Sequence, residues 1–122
     1  RVTWVFWQAT PPAQREFVAN PDSGSRHNRG CAVDLTLYSR QTGLAVQMPS
    51  LYDEMSERSA ANYAGGTPGQ RRLRDLLRRE MEKQGFQVFP IEWWHYDFQG
   101  WEKFAVRNET FAELDRITGA RR

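Results

Sequence analysis

The sequence predicts a small α+β domain, an antiparallel sheet with flanking helices, and three observations carry that expectation. Residues 67–85 combine a helix start, an apolar stripe and a helix stop. Two apolar stretches, 31–38 and 86–98, are rich in the β-branched and aromatic residues that suit a pleated surface. A turn of hairpin type, Gln41-Thr42-Gly43, follows the first stretch, and helices beside hairpin-connected strands define the α+β class.

Taken in order, Val2, Val5, Phe6 and Ala9 recur at helical spacing, so residues 2–9 are expected to form an amphipathic helix ending before Pro11-Pro12. A second short helix is expected over 12–18. Asn20-Pro21-Asp22-Ser23-Gly24-Ser25 is dense in turn formers, which places His27 on a loop or at its exit. From Cys31 to Tyr38 apolar and polar residues alternate; with Val33, Leu35 and Leu37 inward, Asp34 and Thr36 face a cleft. Ala45 to Met48 is expected to return as a strand, and Pro49 to Gly66 to be a long irregular connection with at most one helical turn, a length often found at functional sites.

Thr67-Pro68-Gly69-Gln70 has the spacing of a capping box with Pro at the first helical position. Leu73, Leu76, Leu77, Glu80 and Met81 then share one helix face, apolar except for Glu80, and Gly85 ends it. Phe86 to Phe89 and Glu92 to Phe98 are expected as strands separated by Pro90, Phe104 to Val106 as an antiparallel return, and Thr110 to Ile117 as a final helix.

At 122 residues, with 39% apolar residues and five Trp, the chain is expected to form a single domain, residues 1–122, around one core. The net charge of +2 derives largely from Arg71, Arg72, Arg74, Arg78 and Arg79. Asp75, Glu80 and Glu82 lie among them, so the cluster is expected to be a solvated mixed-sign helix face and no nucleic-acid partner is inferred. Cys31 is the single cysteine and excludes an internal disulfide. No apolar run approaches the roughly 20 residues of a membrane helix, so no membrane span is expected. The chain begins at Arg1, not Met, and an N-terminal segment is expected to lie outside it. The oligomeric state cannot be read from the sequence.

The two histidines of the chain each sit in a short motif with a carboxylate: Ser25-Arg26-His27-Asn28-Arg29-Gly30-Cys31-Ala32-Val33-Asp34, and Glu92-Trp93-Trp94-His95. Two imidazoles and two carboxylates are what a catalytic zinc site needs, because such a site takes three protein ligands and leaves a fourth position for water. The remaining carboxylate is then free to act as base. Glu92 and His95 are three residues apart, which would set them on opposite faces of a regular strand, so a bend or bulge is expected near Ile91 to Trp93. Of Trp93 and Trp94, at least one is expected to fill the core; Cys31 is expected to be a small buried hydrophobe pointing away from Asp34.

These motifs resemble the signature of the VanX-like zinc D-Ala-D-Ala dipeptidases, within the D,D-peptidase and Hedgehog superfamily. The shared pattern is S-x-H-x-x-G-x-A-x-D followed by E-x-x-H, and Ser25, His27, Gly30, Ala32, Asp34, Glu92 and His95 fill every fixed position. Asp53-Glu54-Met55-Ser56-Glu57-Arg58-Ser59 also resembles the family's intervening segment. The resemblance implies a D,D-peptidase-like fold, one Zn2+ held by His27, Asp34 and His95, Glu92 as catalytic base, and Ser25 and Asp53 at the free amino end of a small D,D-dipeptide substrate. It implies hydrolysis of D-alanyl-D-alanine in cell-wall metabolism, with the cytoplasm favoured and the periplasm open.

At one point the chain departs from the family pattern. Relatives carry an arginine upstream of the zinc motif, commonly in a Tyr-Arg-Pro setting, that stabilises the oxyanion; here Arg1 and Arg15 are the earlier arginines and neither has that context. Its equivalent is expected upstream of Arg1, and losing such a donor costs about a hundred- to a thousandfold in rate. Two other functions stay open on the sequence: a D,D-carboxypeptidase acting on longer wall peptides, and a catalytically silent zinc-binding module.

Overall fold

The computed structural model describes residues 2–107 and 109–119. Among these, three strands form an antiparallel sheet, β1 (Ala32–Asp34), β2 (Phe86–Phe89) and β3 (Glu92–Phe98), with β3 in the middle of the order β1-β3-β2. Helix α1 (Val2–Ala9) precedes the sheet, α2 (Pro68–Lys83) packs against β2 and β3, and α3 (Phe111–Thr118) ends the described chain. This is the expected α+β architecture.

The capping box of α2 forms as its sequence spacing dictates. Thr67 Oγ1 accepts from the Gln70 amide at 3.2 Å and Gln70 Oε1 accepts from the Thr67 amide at 2.7 Å, satisfying two backbone donors. Leu77 is buried at 3% exposure, with Leu73 and Met81 packed beside it. Thr67→Ala is expected to cost about 1 kcal/mol, read as a drop of a few degrees in thermal midpoint by circular dichroism. The core that receives α2 comprises Met48, Ala61, Val88, Trp93, Trp94 and Tyr96, so both tryptophans of the second motif are buried.

The arginine cluster is not wholly solvated as expected. Arg74 is buried, donating from Nη1 to the Tyr63 carbonyl at 2.7 Å and pairing with Asp75 at 2.9 Å. Neighbouring Arg71 donates to the carbonyls of Ala64 at 3.1 Å and Gly66 at 2.7 Å. The connection before α2 folds back on the helix, and its carbonyls take the guanidinium donors because they have no ladder partner of their own. Arg78, Arg79 and Lys83 do form the exposed ion pairs expected of a mixed-sign face.

Five strand or helix expectations change in the structure. The first strand is three residues long instead of eight, and Val33 is 41% exposed. It lies on the edge strand, beyond the cover that α2 gives β2 and β3, whereas Leu35 and Leu37 do pack on the core. The return after Gln41-Thr42-Gly43 is a single bridge, Tyr38 to Ala45, continued by Val46 N–H to the Leu37 carbonyl at 3.0 Å. Residues 104–106 form no strand; Arg29 donates to the Phe104 carbonyl and the Arg107 amide to the Asn28 carbonyl at 2.7 Å, so this segment is tied to the turn carrying His27. Helix α1 forms at the expected residues but buries none of them, and Val2 and Phe6 remain 70% and 59% exposed along a cleft. The short helix after it, Pro12–Phe17, is of 3-10 type, following two prolines that bring no amide hydrogen.

Candidate metal centre

His27 opens a one-turn 3-10 segment, His27–Arg29, immediately before β1. Gly30 closes that turn at φ +68°, a left-handed conformation that costs glycine least, and its amide bonds the His27 carbonyl at 2.9 Å. The chain then enters β1, whose register sets Asp34 directly opposite His95 on β3. A turn and a strand pairing therefore bring the two motifs together.

Glu92 reaches the same place through a break in strand pairing. Gln87 faces Asp97 and Val88 faces Tyr96, but Phe89 faces Glu92, where an unbroken ladder would put His95. The expected irregularity exists, and it lies on the C-terminal side of Glu92, between that residue and Tyr96. The Ala61 amide holds the entry to β3 by bonding the Pro90 carbonyl at 2.9 Å. Glu92 Oε2 consequently lies 3.7 Å from His95 Nδ1.

The ligating atoms of His27, Asp34 and His95 lie within 4.8 Å of one another. Asp34 Oδ1 is 2.9 Å from His95 Nδ1, and its Oδ2 is 3.4 Å from His27 Nε2. Tetrahedral zinc, with bonds of about 2.0–2.1 Å, separates its donor atoms by about 3.3 Å. The donor set and spacing thus fit such an ion. The outer nitrogens are engaged as well: His27 Nδ1 faces the Ala32 carbonyl at 3.1 Å, and His95 Nε2 faces Asp97 Oδ1 at 3.0 Å. Carbonyl and carboxylate acceptors at those nitrogens leave the inward ones free to ligate.

Electrostatics in the site follow from burial and from these partners. Burial pushes the Glu92 carboxyl up, and the charges of Asp34 and Asp53 add to that against the opposing pull of His95, bringing it to about 7. Burial would raise Asp34 too, but hydrogen bonds to His27 and His95 hold it well below the usual carboxylate range. His95 is disfavoured as a cation by burial, yet the bonds to Asp34 and Asp97 outweigh this and raise it to about 9.

A pH-dependent stability difference follows. The folded-state value for Glu92 lies above its ordinary 4.5, so the folded chain holds that proton more tightly; this contribution is complete below about 4.5 and lost as pH rises through about 7. With zinc removed, Glu92→Gln is expected to gain about 1–3 kcal/mol over the native residue at pH 8, and little at pH 4. Urea unfolding at the two pH values measures the gap.

The centre opens on a cleft of about 640 Å³ that Ser25, Asp53, Glu92 and Trp94 also line. Ser25 Oγ accepts from the His27 amide at 3.2 Å and so shapes the turn as well as facing the cleft. Asp53 has φ +58°, the one non-glycine residue with positive φ among those described. It does not cap a helical turn; Ser56 does that, accepting from the Arg58 amide at 3.2 Å. Burial and the nearby Asp34 charge raise the Asp53 carboxyl above its ordinary value. Cys31 is buried, a free thiol whose Sγ is 3.3 Å from the Arg29 carbonyl. Arg15 sits over the Trp7 ring at 5.0 Å, and Arg1 lies outside the described residues.

Two residues of this neighbourhood were not singled out from the sequence, Arg26 and Asp97. Asp97 Oδ2 pairs with the Arg26 guanidinium while its Oδ1 meets His95. The available signal was the spacing His95-Tyr96-Asp97, since residues two apart on a strand share a face.

Two imidazoles and a carboxylate gathered in an open cleft, with a second carboxylate beside them, make the donor set of a metal-dependent hydrolase. Comparison with known proteins gives the family: the pattern describing D-ala-D-ala dipeptidases matches residues 3–115, and the chain belongs to that family. It is 50% identical over 76 residues to a D-alanyl-D-alanine dipeptidase of Enterococcus faecium, covering 61% of this chain and 37% of the relative. With a D-alanyl-D-alanine dipeptidase of Escherichia coli (strain K12) it is 40% identical over 93 residues, 76% of this chain and 47% of the relative. A third, from Streptomyces coelicolor, is 39% identical over 75 residues, 59% and 36% of the two chains. The chain spans between about a third and a half of the length of the curated relatives it matches. No helix among the described residues is long and apolar enough to cross a membrane.

Proposed function

We propose that the chain, as a single zinc peptidase domain over residues 1–122, hydrolyses D-alanyl-D-alanine in bacterial cell-wall metabolism, acting in the cytoplasm. The observation that carries this reading is the convergence of His27, Asp34 and His95 with Glu92 alongside, in a chain of the D-ala-D-ala dipeptidase family. In this reading the three residues hold one Zn2+ and Glu92 is the base. When bound, zinc supplies a Lewis acid that polarises the peptide carbonyl and lowers the pKa of water to about 7.

The remaining work falls to the chain's own side chains. Glu92 accepts a proton from the attacking water, and the same carboxyl returns it to the departing amine, as general acid–base catalysis requires. Burial and the neighbouring carboxylates favour a proton on Glu92, which suits a group that must give one back as well as take it. Ser25 and Asp53, on the cleft wall, hold the ammonium of the dipeptide. Trp94 and Phe89 line the same cleft and limit the entry of water from the sheet side.

Zinc stoichiometry measured together with D-alanyl-D-alanine hydrolysis tests the reading. One zinc per chain and turnover of the dipeptide are expected; a chain that binds no zinc refutes the metal reading, and one that binds it without turnover refutes the dipeptidase and leaves the carboxypeptidase or the silent zinc module. A D,D-carboxypeptidase acting on longer peptides has one observation in its favour, the cleft of about 640 Å³, which is larger than a dipeptide needs. Asp53→Ala discriminates. For a dipeptidase it is expected to raise KM for D-alanyl-D-alanine about tenfold or more, the scale of a lost charge-assisted bond of about 1.5–3 kcal/mol, and to leave the N-acetylated dipeptide unaffected. Preference of the native chain for the acetylated form favours the carboxypeptidase.

A further inference from the structure

We propose that Asp97 and Arg26 act as a positioning pair that selects which nitrogen of His95 faces the metal. The inference rests on the reading of His27, Asp34 and His95 as zinc ligands, and goes beyond it by assigning two residues outside that set. His95 and Asp97 are two apart on β3 and share a face of the sheet. Both Asp97 oxygens are engaged, Oδ1 with His95 Nε2 at 3.0 Å and Oδ2 with the Arg26 guanidinium. The Asp97 side chain is only 9% exposed, so its orientation is fixed by these two bonds and not by water.

A neutral imidazole has one protonated and one free nitrogen, and only the free one can ligate. A carboxylate acceptor at Nε2 stabilises the tautomer that carries its proton there, which leaves the lone pair on Nδ1. Nδ1 is the nitrogen that lies 2.9 Å from Asp34 Oδ1, inside the donor cluster. The ring is also held between His27 and Phe89, with centroids at 4.8 and 5.4 Å, and Asp97 adds the acceptor that sets its tautomer.

Arg26 has two functions in the pair. Its charge balances Asp97, so that a buried carboxylate next to the site is not left uncompensated. Its guanidinium also lies over the Trp101 ring at 4.4 Å and the Phe89 ring at 5.1 Å, contacts that restrict the fork to one direction. Arg26 immediately precedes His27, so a single turn presents one metal ligand directly and clamps the other through Asp97.

Zinc affinity of the chain, measured by competition with a chromophoric chelator at fixed pH, tests the pair. Asp97→Ala is expected to weaken zinc binding about 10- to 100-fold, with Asp97→Asn intermediate and Arg26→Ala weakened in the same direction. In the zinc-loaded native chain, 15N NMR is expected to show His95 protonated at Nε2 and metal-bound at Nδ1. Asp97→Ala folded by circular dichroism, yet within twofold of native zinc affinity, overturns the proposal. Should that variant not fold, Asp97→Asn, which preserves side-chain volume, is held to the same threshold. Arg26→Ala with native zinc affinity and a raised KM overturns the clamp and reassigns Arg26 to substrate. A native chain that binds no zinc refutes the metal reading itself, a result distinct from native binding that Asp97 does not influence.

Discussion

Glu92→Gln is expected to retain zinc and to lower kcat for D-alanyl-D-alanine by about two to four orders of magnitude, the usual contribution of a general base. The substitution preserves side-chain volume and removes only the ability to take a proton. Glu92 stands beside the donor cluster, 3.7 Å from His95 Nδ1, without being one of the three residues whose ligating atoms converge. Metal content by mass spectrometry or atomic emission and turnover on the same sample decide the matter. Native turnover with zinc in place removes Glu92 from the base role; loss of zinc instead makes it a ligand.

Trp93→Ala is expected to cost about 3–5 kcal/mol, the range for emptying the place of a large aromatic in a core. Against a total stability of about 5–15 kcal/mol for a domain of ordinary size, that is enough to populate the unfolded chain at moderate temperature. Trp93 is 1% exposed and donates from Nε1 to Ser50 Oγ at 2.8 Å. It therefore anchors the segment that leads into Asp53, next to the Tyr52 ring at 6.3 Å. Trp93→Phe is expected to lose less, about 1–2 kcal/mol, by forgoing the hydrogen bond and part of the volume. Urea unfolding of both variants measures the difference, and an alanine variant within 1 kcal/mol of native refutes the anchoring role.

Much of the fold was legible where the deciding interactions are local. Helix α2 is set by Thr67, Pro68, Gln70 and the apolar recurrence of Leu73, Leu77 and Met81, all contained in one stretch of chain. The motif pair could be read the same way, since the fixed positions lie within ten residues or within four. What escaped depends on distant partners. The burial of Arg74 is decided by carbonyls of a connection that folds back on the helix, and the exposure of Val33 by how far α2 reaches across the sheet. The extended 104–106 segment had the composition of a strand, but its backbone partners belong to the turn after His27. Asp97 and Arg26 were visible as residues; their relation was not, because it requires knowing which face of β3 looks toward the turn.

The break in pairing between Val88 and Phe89 has a meaning for how this domain can vary. Base and ligand occupy one face because the ladder slips between them. On β3 three residues, Trp93, Trp94 and His95, fall between the Val88 and Phe89 pairings, so no single-residue change in this interval restores a regular ladder. A change of one residue there would alter how the slip is taken up, and with it the spacing between the Glu92 carboxylate and His95 Nδ1, now 3.7 Å. A change of length in this interval therefore acts on the chemistry as well as on the pairing, and a one-residue insertion or deletion is expected to uncouple base from ligand.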